Sequence, residues 1–223
     1  MKLRHFRNPV SAALMLVLLG GGSYLQAGRK KSAIRFDAKP DQVAEMPAPS
    51  ITARRPCENW GWAAAVETLL QSAGVSLAQN FWVVRANGGA VCVASPENVL
   101  SLNQFIDGDF ALEDGRRIRV ESHFVPNQQI SLEDLILALR NKQPRIMFWK
   151  NRAYVIYGMV YDELIAPAGV RRYQWKQFKL IDPMYSDPKQ REVVLHSDHD
   201  DPADLSGIME ITAAPRALYE LKK

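Results

Sequence analysis

GWAAAVETLLQSAG, residues 61–74, is the stretch from which the fold reads most directly. Trp62, Val66, Leu69, Leu70 and Ala73 recur at helical spacing, and Gly74 follows as a stop. The alanines inside this helix leave room for close packing. Working outward, a shorter helical stretch covers Gln79 to Arg85 and ends before Asn87-Gly88-Gly89, and a third covers Pro96 to Phe105. The pattern then changes. Phe110 to Leu112 and Arg117 to Phe124 flank Glu113-Asp114-Gly115, a hairpin turn signal. Ser131 opens one more helix through Arg140, with Asp134 in capping-box position and Leu132, Leu135, Ile136 and Leu139 as its apolar face. Pro144 prevents its continuation.

The second half reads as strands: Ile146 to Trp149, Tyr154 to Tyr161, Tyr173 to Ile181, Arg191 to Leu195 and Ile208 to Thr212. Helices first and strands later predict an α+β domain, a helical N-terminal half followed by an antiparallel sheet. The chain of 223 residues, 47% hydrophobic, suits one such domain plus a processed N-terminus.

That N-terminus has the three zones of a signal peptide. Lys2, Arg4 and Arg7 are basic, Pro9 to Leu19 is apolar, and Ser23 to Ala27 is a polar end with Ala27 as the last residue before cleavage. The apolar run falls short of the ~20 residues of a bilayer span. Leu25 is large for a cleavage site, so an uncleaved N-terminal anchor is the alternative, and only in that case is the membrane a partner. Residues 1–27 hold three basic and no acidic residues, so their removal takes the formal charge from +4 to +1, 25 basic against 24 acidic. The basic balance is therefore a targeting signal and gives no case for nucleic acid. Residues 28–50, basic at Arg29, Lys30 and Lys31 and then rich in Ala and Pro, read as a flexible linker, and 51–223 as the domain.

Cys57 and Cys92 are the two cysteines of the chain, both in the exported part. In an oxidising compartment an even pair forms a disulfide. The competing reading is a nucleophilic thiol.

Three stretches frame a site: Gly61-Trp62-Ala63-Ala64-Ala65, Arg152-Ala153-Tyr154-Val155-Ile156-Tyr157-Gly158 and Leu180-Ile181-Asp182-Pro183. In order, spacing and secondary structure they resemble the papain-like cysteine peptidases, most of all the small bacterial exported forms, over roughly residues 51–215. In that family a helix opens with Cys-Trp-Ala, a strand carries His-Ala-Val-Val-x-x-Gly, a further strand ends in Asp or Asn, and a Gln precedes the Cys. The thiol at a helix N-terminus has a lowered pKa, the His takes its proton, the third residue orients the imidazole, and the Gln stabilises the oxyanion.

On this alignment the nucleophile position holds Gly61, the base position Arg152, and the Gln position Arg54 or Arg55; Asp182 alone matches. Arginine stays protonated and cannot act as a base. The resemblance thus implies a papain-like domain with a degenerate site, a pseudo-peptidase acting as a binding or structural module for an unknown protein or peptide, without a cofactor. It also implies the disulfide, since a half-cystine precedes the nucleophile in papain and its partner lies some way downstream. The alternative is an active cysteine hydrolase using Cys57. At the vacated site, Arg152 facing Asp182 is either a strand-bracing salt bridge or, with Arg55 and Trp60, a cleft for a carboxylate or phosphate. Trp60 lines that cleft or covers the disulfide, Trp62 packs in the core, and Asn59 caps the helix. Asn87-Gly88-Gly89 is a turn or lines the cleft. His196-Ser197-Asp198-His199-Asp200-Asp201 offers metal-ligand types but lacks a zinc-protease pattern and reads as a solvated loop, so no metal is expected.

Overall fold

The computed structural model describes residues 36–50, 57–92, 99–183, 185 and 187–216. Residues 1–27, read above as a signal peptide, the start of the expected linker, Arg54 and Arg55 lie outside the described residues. Residues 34–223 form one compact unit. In chain order its elements are β1 (Asp37–Glu45), α1 (Gly61–Ser72), α2 (Gln79–Asn87), α3 (Val99–Ile106), β2 (Gly108–Ala111), β3 (Arg117–Pro126), α4 (Leu132–Arg140), β4 (Arg145–Trp149), β5 (Arg152–Ile165), β6 (Arg171–Ile181), α5 (Pro188–Arg191), β7 (Glu192–His196) and β8 (Leu205–Pro215). The class is α+β.

The eight strands form one sheet in the order β2-β3-β8-β4-β5-β6-β7, with β1 paired to β5. All these pairings are antiparallel. β5 is long enough to serve two partners on one edge: Arg152 to Ile156 pair with β4, and Gly158 to Ile165 pair with β1. Local chemistry fixes the hairpins. Between β4 and β5, Lys150 and Asn151 both have positive φ (48° and 61°), as a two-residue primed turn requires. Between β2 and β3, Gly115 takes φ 84° and the Asp114 carboxylate accepts the Arg116 backbone N–H.

Side-chain alternation separates two cores. Ile146, Phe148, Ala153 and Val155 pack with α1, α2 and α3, whereas Met147, Trp149, Tyr154 and Ile156 pack with Leu135, Ile136 and Leu139 of α4. Helices therefore cover both faces of the central strands. This is why β4 and β5 read as unbroken apolar runs instead of alternating ones. Ser131 caps α4 as its spacing predicts, its hydroxyl accepting the Asp134 N–H at 3.2 Å.

One element departs from the sequence reading. Residues 37–45, assigned above to a flexible linker, form β1, so the domain begins before residue 51 and a strand precedes the first helix. Only Ala44 of β1 is buried. Its stability comes from the edge of β5 and from cross-strand ion pairs, Lys39–Glu163, Asp41–Lys176 and Glu45–Lys179, none of them visible in a local window. Pro40 is tolerated because the register shifts there, between Lys39 and Gln42, with Asp41 at φ 53°. Among the described residues no helix is long and apolar enough to cross a membrane.

Candidate functional site

Gly61 is the first residue of α1 and sits at φ −52°, ψ −41°. That is ordinary right-handed helix, so the backbone places no demand for glycine there. The segment before it is bolted to the loop after α2. Cys57 and Cys92 form a disulfide with their Cα atoms 5.7 Å apart, and the Trp60 indole N–H donates to the Val91 carbonyl at 3.0 Å. Trp60 is 5% exposed and belongs to the core on the α1 face. It therefore braces the disulfide loop, the second of the two roles considered for it. Trp62 is buried in the same core.

Asn59 does not cap α1. The cap position is Trp60, α1 has no side-chain cap hydrogen bond, and the Asn59 backbone N–H donates to the Cys57 sulfur at 3.4 Å. The bridged sulfur already holds that turn, so the amide side chain is left exposed. Gly88 ends α2 in the left-handed conformation, φ 73°, with its N–H on the Val84 carbonyl, so Asn87-Gly88-Gly89 is a helix-ending turn.

Arg152 and Asp182 are brought together. Arg152 begins β5, Asp182 follows the last residue of β6, and the guanidinium Nη2 donates to Asp182 Oδ2 at 2.5 Å. The Asp182 side chain is 3% exposed and that of Arg152 45%. The guanidinium also lies 5.6 Å from the centroid of the Tyr154 ring. Burial pushes the Tyr154 hydroxyl pKa up, and the positive charge of Arg152 opposes the shift. Asp182 is fixed through its backbone as well, its N–H donating to the Arg191 carbonyl at 2.7 Å.

Gly61 is not joined to this pair. Ala153 and Val155 face α1, so Arg152 and Tyr154, alternating with them along β5, leave the strand on the α4 face. The polar contacts of Arg152 run to Asp182 and Tyr154.

In the His196–Asp201 loop two of the acids serve the backbone, and Asp198 lies 3.4 Å from the His199 ring nitrogen. Asp200 accepts the His196 N–H at 2.7 Å, and Asp201 accepts the Ala203 N–H at 2.9 Å. Among the described residues no group of three or more His, Cys, Asp or Glu side chains is arranged to hold a metal ion.

One buried acid escapes a motif-based reading. Glu67 on α1 is 8% exposed, and its Oε2 accepts the Gln79 backbone N–H at 3.1 Å. Ala78 gives α2 no side-chain cap, so a carboxylate from the neighbouring helix meets its first turn instead. Burial raises the Glu67 pKa and the Gln79 N–H opposes the shift. The only signal in the sequence is an acid inside the apolar period of residues 61–74.

Comparison of the chain with protein-family models, with curated proteins and with solved structures finds no match.

Proposed function

We propose that this chain is an exported domain of papain-like type that does not perform cysteine-peptidase chemistry and acts as a binding or structural module outside the cytoplasm. The observation that carries the reading is the chemistry of two positions. Gly61 opens α1 in a regular helical conformation with no side chain to attack a carbonyl, and Arg152 is an arginine held by Asp182. A guanidinium bound to a carboxylate accepts no proton at neutral pH. The alternative nucleophile is also spent, because both cysteines of the chain are in one disulfide. Export is supported by the basic-then-apolar N-terminal segment and by that disulfide, a bond kept in oxidising compartments.

The papain-like part of the reading rests on the three sequence stretches around Gly61, Arg152 and Asp182 and on the α+β order. It is tested by restoring the missing thiol. Gly61→Cys adds it at the start of α1 without backbone strain. On this reading the new thiol reacts with iodoacetamide with a midpoint well below the ~8.5 of a free cysteine. A thiol titrating as free cysteine rejects the papain-like assignment.

A further inference from the structure

On the α4 face, away from Gly61, a cavity of about 390 Å³ opens between the start of α4 and the β3–β8–β4 part of the sheet. Val125, Ile130, Leu135 and Ile208 supply its apolar surfaces, and His123, Asp134, Arg145 and Glu210 supply polar groups. Both the size and this mixture, an apolar body with a few converging polar groups, are those of a small-molecule site.

The charges decide what fits. Arg145 is the one full cation among the described residues of the wall, and it is already engaged. Its Nη2 donates to Glu210 Oε1 at 2.9 Å and its Nη1 to the Pro144 carbonyl at 3.2 Å. Its side chain is 13% exposed, and burial lowers its pKa while Glu210 opposes the shift. Arg145 and Glu210 therefore cancel. The positive end of α4 is met by the Ser131 cap and by Glu133 and Asp134 in the first turn. The Asp134 backbone N–H donates to the Ser131 hydroxyl, and its carboxylate has no hydrogen bond or ion pair among the described residues. The charge left on the wall is negative, beside apolar side chains.

We infer that this cavity binds a small organic amine, an apolar body filling the space over Leu135 and Ile208 with one ammonium group directed to Asp134. The site is separate from the Arg152–Asp182 pair and does not depend on the papain-like reading.

The test is NMR titration of the full exported chain with 2-phenylethylamine, and in parallel with 2-phenylethanol and 3-phenylpropionate as neutral and anionic probes of similar shape. The amine is expected to shift the Leu135 and Ile208 methyl and His123 ring signals saturably, and to bind more tightly than the other two. Asp134→Asn, an exposed and conservative change, is expected to weaken the amine roughly two- to fivefold, the scale of one partly solvated ion pair, and to leave phenylethanol unchanged. Equal or tighter binding of phenylpropionate, shifts centred elsewhere, no saturation, or indifference to Asp134→Asn overturns the proposal.

Discussion

Arg152 and Asp182 meet at 2.5 Å with unequal burial: the carboxylate is 3% exposed, the guanidinium 45%. The pair is therefore asymmetric in energy. Loss of the arginine leaves a buried anion with less compensation, whereas loss of the acid leaves a cation that can turn to water. Arg152→Met is expected to cost about 1–2 kcal/mol in urea unfolding, after discounting for the exposed partner, and Asp182→Asn less. The double variant should recover part of the arginine loss. Strict additivity of the two changes would mean the contact is not made.

The Cys57–Cys92 bond closes a separation of 35 residues. A bridge of that span contributes about 2–4 kcal/mol by constraining the unfolded chain. Reduction, or Cys57→Ser with Cys92→Ser, should lower the unfolding free energy by that amount and speed backbone exchange of Val91, whose carbonyl anchors Trp60. Unchanged stability on reduction would show that the Trp60 contact holds the loop without the bridge.

Glu67 gives a pH dependence with a definite sign. Its folded pKa is raised, so the unfolded chain loses its proton first as pH climbs past about 4.3. The folded state then binds more protons than the unfolded one, and this group's contribution to stability falls until its own folded pKa is passed. Glu67→Gln keeps an acceptor for the Gln79 N–H and cannot ionise. Its stability relative to the parent should therefore rise as pH climbs past about 4.3 and level off once the folded Glu67 has ionised. Parallel stability–pH curves for the two proteins would contradict the burial argument.

Gly207 lies on β8 where the sheet closes tightly. A Cβ there would come within 2.5 Å of the Val125 carbonyl oxygen and meet the Phe124 ring. Backbone cannot yield as a flexible side chain does, so Gly207→Ala is expected to cost about 1–3 kcal/mol in thermal or urea unfolding. At Gly158 the nearest atoms are instead the Glu45 Cγ at 3.1 Å and the Lys179 Cδ at 3.2 Å, members of an ion pair that passes over the glycine. Gly158→Ala should cost less, under about 1 kcal/mol, because those chains can shift. Reversal of this order would mean that β3 and β8 are not packed as described.

Local pattern carries far in this chain. The α1 period, the Ser131 cap and the Glu113-Asp114-Gly115 turn each rest on interactions within a few residues, and each stands where the sequence places it. β1 is different. Residues 37–45 have little apolar content and a proline, and they become a strand because β5 extends past β4 and presents an unpaired edge with Lys176, Lys179 and Glu163 nearby. No window of the sequence contains that edge. For the candidate site, the contact of Arg152 with Asp182 is implied by the family resemblance of their two stretches, and the two side chains do meet. The face on which they lie is not, because side-chain direction depends on which residues α1 and α4 cover. Asn59 does not cap α1 for a related reason: the Cys57 sulfur, held by a bridge to a distant residue, accepts the Asn59 N–H and fixes the turn that precedes the helix.

The proposed loss of cysteine-peptidase chemistry requires that neither Cys57 nor Cys92 be a free thiol. The direct test is intact mass of the unreduced protein before and after iodoacetamide at neutral pH, run beside a peptide-hydrolysis assay. The account predicts no alkylation, a mass two hydrogens below that of the reduced chain, and no hydrolysis above buffer. Ready alkylation of Cys57, with hydrolysis that disappears as the thiol is blocked, would contradict it.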